Sequence, residues 1–145
     1  MPTYTVSALV GRLSKQQKSD LAFAITDIHC KITGAPAYFA QVIFNDIPKE
    51  NYFIAGKPLR DDILFVYGQI RAGRDLEVKH QIILNILDSS SKITNMHMSH
   101  IQVYIIDVPA KQIAEWGKIL PNPDEEKEWF DSISDDVKKR MLELL

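Results

Sequence analysis

The chain has 145 residues, 25% of them charged and 46% hydrophobic, which excludes a disordered or fibrous polymer and fits one globular domain over residues 1–145. Seventeen Lys and Arg against nineteen Asp and Glu give a formal charge of −2, so no basic field points to nucleic acid. No apolar run approaches the roughly 20 residues that span a bilayer, Met1 to Thr5 lacks the pattern of a signal peptide, and a single cysteine, Cys30, excludes an internal disulfide. The expected setting is the cytoplasm, with neither membrane nor nucleic acid as partner.

Thr3 to Val10, rich in β-formers behind Pro2, predicts a first strand. Ser14 and Gln17 have the spacing of a capping box, and Leu21, Ala24, Ile25, Ile28 and Ile32 follow at helical spacing until Gly34. Gln41 to Ile47 alternates and stops at Pro48; Ile63 to Ile70 is a nearly continuous apolar run. A second helix is expected from about Asp75, carrying Val78, Ile82, Ile86 and Ile93 on one stripe, and a fourth strand from Ile101 to Val108 ends at Pro109. Beyond it the sequence predicts a short helix through Glu115 and Trp116 stopped at Gly117, then the break Pro121-Asn122-Pro123. The acidic run Asp124 to Glu128 is expected as a solvated face, and a last helix starts at Ser134.

A shift of 61 residues sets Gln41–Pro48 on Gln102–Pro109 with four identities in eight positions. The same shift sets Leu21 on Ile82, Ile25 on Ile86 and Ile32 on Ile93. One offset that aligns both strands and helix faces implies an internal duplication, about 2–60 and 61–120, followed by a tail of about 121–145. Each half should pair its strands in parallel around a right-handed crossover. The expected fold is α/β (α+β): two tandem β-α-β units forming a four-stranded mixed sheet with two helices on one face, plus a C-terminal helical tail. The other face, on which residues such as Val66 or Val103 are expected, then needs cover, and an oligomer would supply it.

Several residues can carry chemistry. A small residue after Met1 permits its removal, which would leave Pro2 with a free secondary amine near its strand; an α-amino group titrates around 7.7–8.0, within reach of acid–base work. Arg71 and Arg74, around Gly73 where an apolar strand meets a helix start, can either grip a carboxylate through charge-assisted hydrogen bonds or form a solvated loop pair. His29 closes an amphipathic helix turn, as a satisfied helix-end residue or a catalyst. Tyr104 reads as core by default, and Glu115 beside Trp116 as a surface residue unless aromatic shelter raises its pKa. His97 and His100 lack the further ligands of a metal site, and Cys30 is expected as a buried small hydrophobe. No phosphate-binding, dinucleotide or nucleophile-elbow motif is present.

Taken together, Pro2, the paired β-α-β units and the stretches Ala24–His29, Ala40–Phe44, Arg71–Arg74, Val103-Tyr104, Glu115–Gly117 and Glu128–Phe130 resemble the tautomerase superfamily, in particular its cis-3-chloroacrylic acid dehalogenase group. The resemblance runs from Pro2 to about Phe130. It implies a tautomerase-like fold, a homotrimer and no cofactor or metal. It also implies a site of six residues. Pro2 would be the general acid, Glu115 and Tyr104 would activate water, and Arg71, Arg74 and His29 would bind and polarise the substrate carboxylate. The implied function is a cofactor-independent hydratase or hydrolytic dehalogenase of small 3-substituted acrylates. The alternatives are a keto-enol tautomerase of phenylpyruvate-type 2-keto acids with Pro2 as base, and a non-enzymatic cytokine-like binding module. Trp116, where the group usually has tyrosine, bears on substrate choice.

Overall fold

The computed structural model describes residues 2–60 and 62–145. Strand β1 (Thr3–Leu9) leads to helix α1 (Lys15–Thr33) and returns through a short 3-10 turn at Ala37–Phe39 into β2 (Gln41–Ile47). The helix starts where its sequence says it should. Ser14 Oγ accepts from Gln17 N at 3.1 Å while Gln17 Oε1 accepts from Ser14 N at 3.0 Å, so two otherwise orphaned donors are satisfied together. A small hairpin, β3 (Phe53–Ile54) and β4 (Lys57–Pro58), precedes β5 (Leu64–Arg71), α2 (Leu76–Thr94) and β6 (Ile101–Val108). Asp75 caps α2 by accepting from Val78 N at 2.9 Å.

The sheet order is β2-β1-β5-β6, with β1–β2 and β5–β6 parallel and β1–β5 antiparallel. Leu21 and Ile25 of α1 and Ile82 and Ile86 of α2 bury against Tyr4, Val6, Leu64, Val66 and Ile70 of the central strands. This corrects one expectation: Val66 is fully buried beneath the helices, and Val103 packs against the same core. The β1–β5 register sets Val6 opposite Val66, so the two-residue period of the strands sends the other set outward. On that open face the register lines up Ile43, Thr5, Tyr67 and Tyr104 in one row across all four strands. Ile43, Tyr104 and Ile106 remain exposed there.

The expected helix through Glu115 and Trp116 is instead a hairpin, β7 (Ala114–Glu115) and β8 (Lys118–Ile119). Trp116 and Gly117 both have positive φ, 54° and 78°, the two-residue turn whose twist matches an antiparallel pair. Ala55 and Gly56, at φ 54° and 71°, make the same turn between β3 and β4. Cys30 is half-buried rather than buried, because the inward stripe of α1 ends on Leu21, Ile25 and His29 and leaves Cys30 beside it.

The tail packs on its own chain. Helices α3 (Glu126–Asp131) and α4 (Asp135–Leu142) bring Ile133 and Met141 into a second core with Phe39, Ala110 and Leu120. Trp129 fastens α3 to β8 by donating its indole N–H to Ile119 O at 2.8 Å. The acidic run before it is exposed, as expected, and Glu126, with 47% of its side chain still exposed, forms an ion pair with Arg71. Among the described residues no helix is long and apolar enough to cross a membrane.

Candidate active site

The C-terminal end of β5, the C-terminal end of α1 and the start of the tail enclose a cavity of about 240 Å³. Arg71 and Arg74 line it together with Thr33 and Gly34 at the end of α1, the rings of Tyr38, Phe39, Trp129 and Phe130, and Glu126. Arg71 comes from the last residue of β5 and is 9% exposed. Its Nη1 donates to Pro121 O at 3.2 Å and its Nη2 to Glu126 Oε1 at 2.6 Å, whereas its buried Nε has no partner. Arg74 closes back on it, donating from Nη1 to Arg71 O at 2.9 Å. Burial and the neighbouring Arg71 guanidinium both push the Arg74 pKa down. Two neighbouring like charges are costly, and the Glu126 carboxylate offsets one of them.

His29 lies beneath this end of the molecule, 1% exposed on α1. Its Nδ1 is 2.8 Å from the Tyr4 hydroxyl, while its buried Nε2 has no partner. Burial, reinforced by the charge of Arg74, lowers the His29 pKa to about 3, so the ring is neutral at physiological pH. Burial also raises the pKa of Tyr4, which therefore keeps its proton. The phenol and Nδ1 share this hydrogen bond, and Nε2 has no partner among the described residues. Tyr4 reaches this position because it crosses Gly68: a β-carbon at Gly68 would stand 2.6 Å from the Tyr4 ring and 2.8 Å from Ile105.

Three of the six sequence candidates are thus grouped, with Arg71 and Arg74 in the cavity wall and His29 electrostatically coupled to Arg74. Pro2 is buried at the start of β1, its carbonyl accepting from Gln41 N at 2.9 Å. Glu115 lines a separate hollow of about 130 Å³ with Thr3, the residue after Pro2, and with Gln69, Val108 and Ile113. Tyr104 lies apart from both, 54% exposed on the open sheet face with its ring edge-on to Phe65 at 5.0 Å. Sequence reasoning missed Tyr4 and Glu126. A tyrosine in an apolar strand is ordinary core, and nothing local marks one acid of an acidic run as the partner of an arginine 55 residues away. His97 and His100 stand with ring centroids 6.5 Å apart, and among the described residues no group of three metal-ligating side chains forms.

Comparison with known proteins places the fold. The solved structure of a member of the cis-3-chloroacrylic acid dehalogenase family superposes with a TM-score of 0.91 at 28% identity, covering 97% of this chain and 99% of that one. A fused 4-OT, solved as a symmetric trimer, shares the fold with a TM-score of 0.74 at 21% identity over 81% of this chain and 94% of that one. A probable tautomerase of Streptococcus pyogenes is 35% identical over 57 residues, 39% of this chain and 92% of that protein, the length of one β-α-β half. The family model described as "Putative oxalocrotonate tautomerase enzyme" matches residues 1–132, so the chain belongs to that enzyme family within the tautomerase superfamily.

Proposed function

We propose that the chain is a cofactor-independent hydratase or hydrolytic dehalogenase of small 3-substituted acrylates. The observation that carries this reading is the pair of guanidinium groups in the cavity wall, Arg71, whose buried Nε has no hydrogen-bond partner among the described residues, and Arg74 beside it. Together they offer a carboxylate positive charge and directed N–H groups in a site shielded from water. Drawing electron density toward the carboxylate makes the β-carbon electrophilic. Glu115, helped by Tyr104, takes a proton from water as its oxygen bonds that carbon, and Pro2, freed as a secondary ammonium by loss of Met1, gives a proton to the α-carbon. With a halogen on the β-carbon the adduct is a halohydrin, which loses halide and a proton to give malonate semialdehyde.

Tyr104 faces away from the cavity of its own chain, so its part in this scheme requires a second subunit. The row Ile43–Thr5–Tyr67–Tyr104, with unpaired edges at β2 and β6, supports a homotrimer closed over the open sheet face. Static light scattering tests that assembly: a monomer would remove Tyr104 from the scheme.

A keto-enol tautomerase is the second reading. Glu115 sits in its own hollow, and proton shuttling by a neutral Pro2 does not need it. Proton NMR with cis-3-chloroacrylate, on protein shown by mass to begin at Pro2, tests the first reading. Malonate semialdehyde should appear at a saturable rate that Glu115→Gln abolishes. A flat trace, with the enol of phenylpyruvate ketonised equally by wild type and Glu115→Gln, would establish the second reading instead.

A further inference from the structure

Charge is unevenly distributed in the cavity. Among the described lining residues only Arg71, Arg74 and Glu126 are charged, and the rest of the wall is Thr33, Gly34, Ala35 and aromatic or proline rings. His29 next to it is neutral. Glu126 Oε1 occupies Arg71 Nη2 at 2.6 Å, and although burial works against its charge, the bond from Arg71 prevails and holds the carboxyl below the usual carboxylate range. The tail fixes it there through Trp129, whose ring lies 5.6 Å from Phe39 and whose indole is bonded to Ile119. The cavity wall therefore carries two positive charges and one negative, a net of +1.

A ligand with one carboxylate neutralises that site. A ligand with two leaves it with excess negative charge, and a second carboxylate held within the wall lies among aromatic rings or near the Glu126 carboxylate. Both options cost desolvation or repulsion. We propose that Glu126 is a specificity-determining residue that restricts the cavity to monocarboxylates and turns away dicarboxylates of the same carbon skeleton. The proposal rests on the reading of Arg71 and Arg74 as the carboxylate-binding pair. Discrimination of this kind comes from a repulsive element, not from an added contact to the favoured ligand.

Butyrate and succinate are suitable probes: they share a four-carbon chain, differ in the second carboxylate, and lack the double bond the enzyme acts on. Their dissociation constants are read by NMR chemical-shift titration of wild type, Glu126→Gln and Arg74→Met, each with a dispersed native spectrum. Glutamine keeps the size of glutamate and an oxygen for Arg71, so it removes the charge and spares the geometry. Wild type should favour butyrate, and Glu126→Gln should tighten succinate about tenfold, the effect of one charge at partly screened range, with butyrate changed less. An unchanged ratio, or equal weakening of both ligands, would overturn the proposal and leave Glu126 as a prop for Arg71. Butyrate bound equally well by Arg74→Met would overturn the carboxylate site itself, and the proposal with it.

Discussion

The first β-α-β unit and the second share a frame and differ in what they place on it. Lys18 bonds Asp46 at 2.6 Å, and 61 residues on Lys79 bonds Asp107 at 2.6 Å. The helix caps Gly34 and Asn95 are both left-handed, and the turns Ala55-Gly56 and Trp116-Gly117 repeat each other. At the same spacing His29 corresponds to Ser90, Arg71 to Val10, Arg74 to Leu13 and Glu115 to Ile54. The contacts that hold helix to strand occur twice, whereas every charged or titratable candidate in these four pairs occurs once. Caps, turns and cross-links are required wherever the unit folds, but a pair of cations offset by the single carboxylate of Glu126 is not, and at the corresponding end the chain carries apolar residues and a buried hydroxyl.

This asymmetry can be broken from either side. Arg74→Ala should lower kcat/KM about 100-fold or more with little change in Tm, since among the described residues its one hydrogen bond is to a backbone carbonyl of its own loop. Its counterpart Leu13→Ala should do the reverse, costing about 2–4 kcal/mol of stability through lost core packing while kcat/KM holds. Steady-state kinetics and thermal denaturation of the pair decide the matter; equal kinetic losses would mean that the two ends are not divided as argued.

The His29–Ser90 pair sharpens the comparison through pH. With a folded pKa near 3 against an ordinary 6.5, His29 is neutral in both states above about pH 6.5. As pH falls from there toward 3, the unfolded chain takes up a proton that the folded chain refuses, so stability drops, by up to about 4 kcal/mol. Urea unfolding of wild type and His29→Gln across this window should show a difference that grows on acidification. A constant difference would mean that the imidazole charges freely in the fold.

Gly68→Ala should cost about 1–3 kcal/mol and reduce activity as well, because the new methyl displaces Tyr4 from His29. Tm and kcat measured together test that coupling; a stable variant with full activity would sever Tyr4 from the site. Ser90→Ala should have the smallest effect, within about 1 kcal/mol and in the stabilising direction, since the buried Ser90 hydroxyl has no partner to lose.

Strands and long helices were legible because their signals are local: the capping box at Ser14, the stripe from Leu21 to Ile32, and prolines closing β2 and β6. The Arg71-Ala72-Gly73-Arg74 turn could be read as a candidate anion grip from its place between strand and helix. The roles proposed for Tyr104 and Glu115 came only from family likeness, because neither residue has a local pattern that separates it from core or surface. Trp116 misled, since a bulky residue at positive φ is uncommon and Glu-Trp-Gly reads more naturally as a helix end. The facing of Val66 depends on strand register, and the Tyr4–His29 bond joins residues 25 apart across two layers. Such facts belong to tertiary structure.

The cavity has a rigid side and a replaceable one. Its cations stand on and just beyond the end of a central strand, next to a crossing at Gly68 that admits no side chain, so mutation there is confined. Its opposite wall (Glu126, Trp129 and Phe130) belongs to a short helix of the tail, anchored by the Trp129 indole bond, the Arg71–Glu126 ion pair and a separate small core. Divergence among related chains is therefore expected to run ahead in this segment. Exchanging about ten residues of tail would give a lineage a new substrate range without refolding the sheet beneath it.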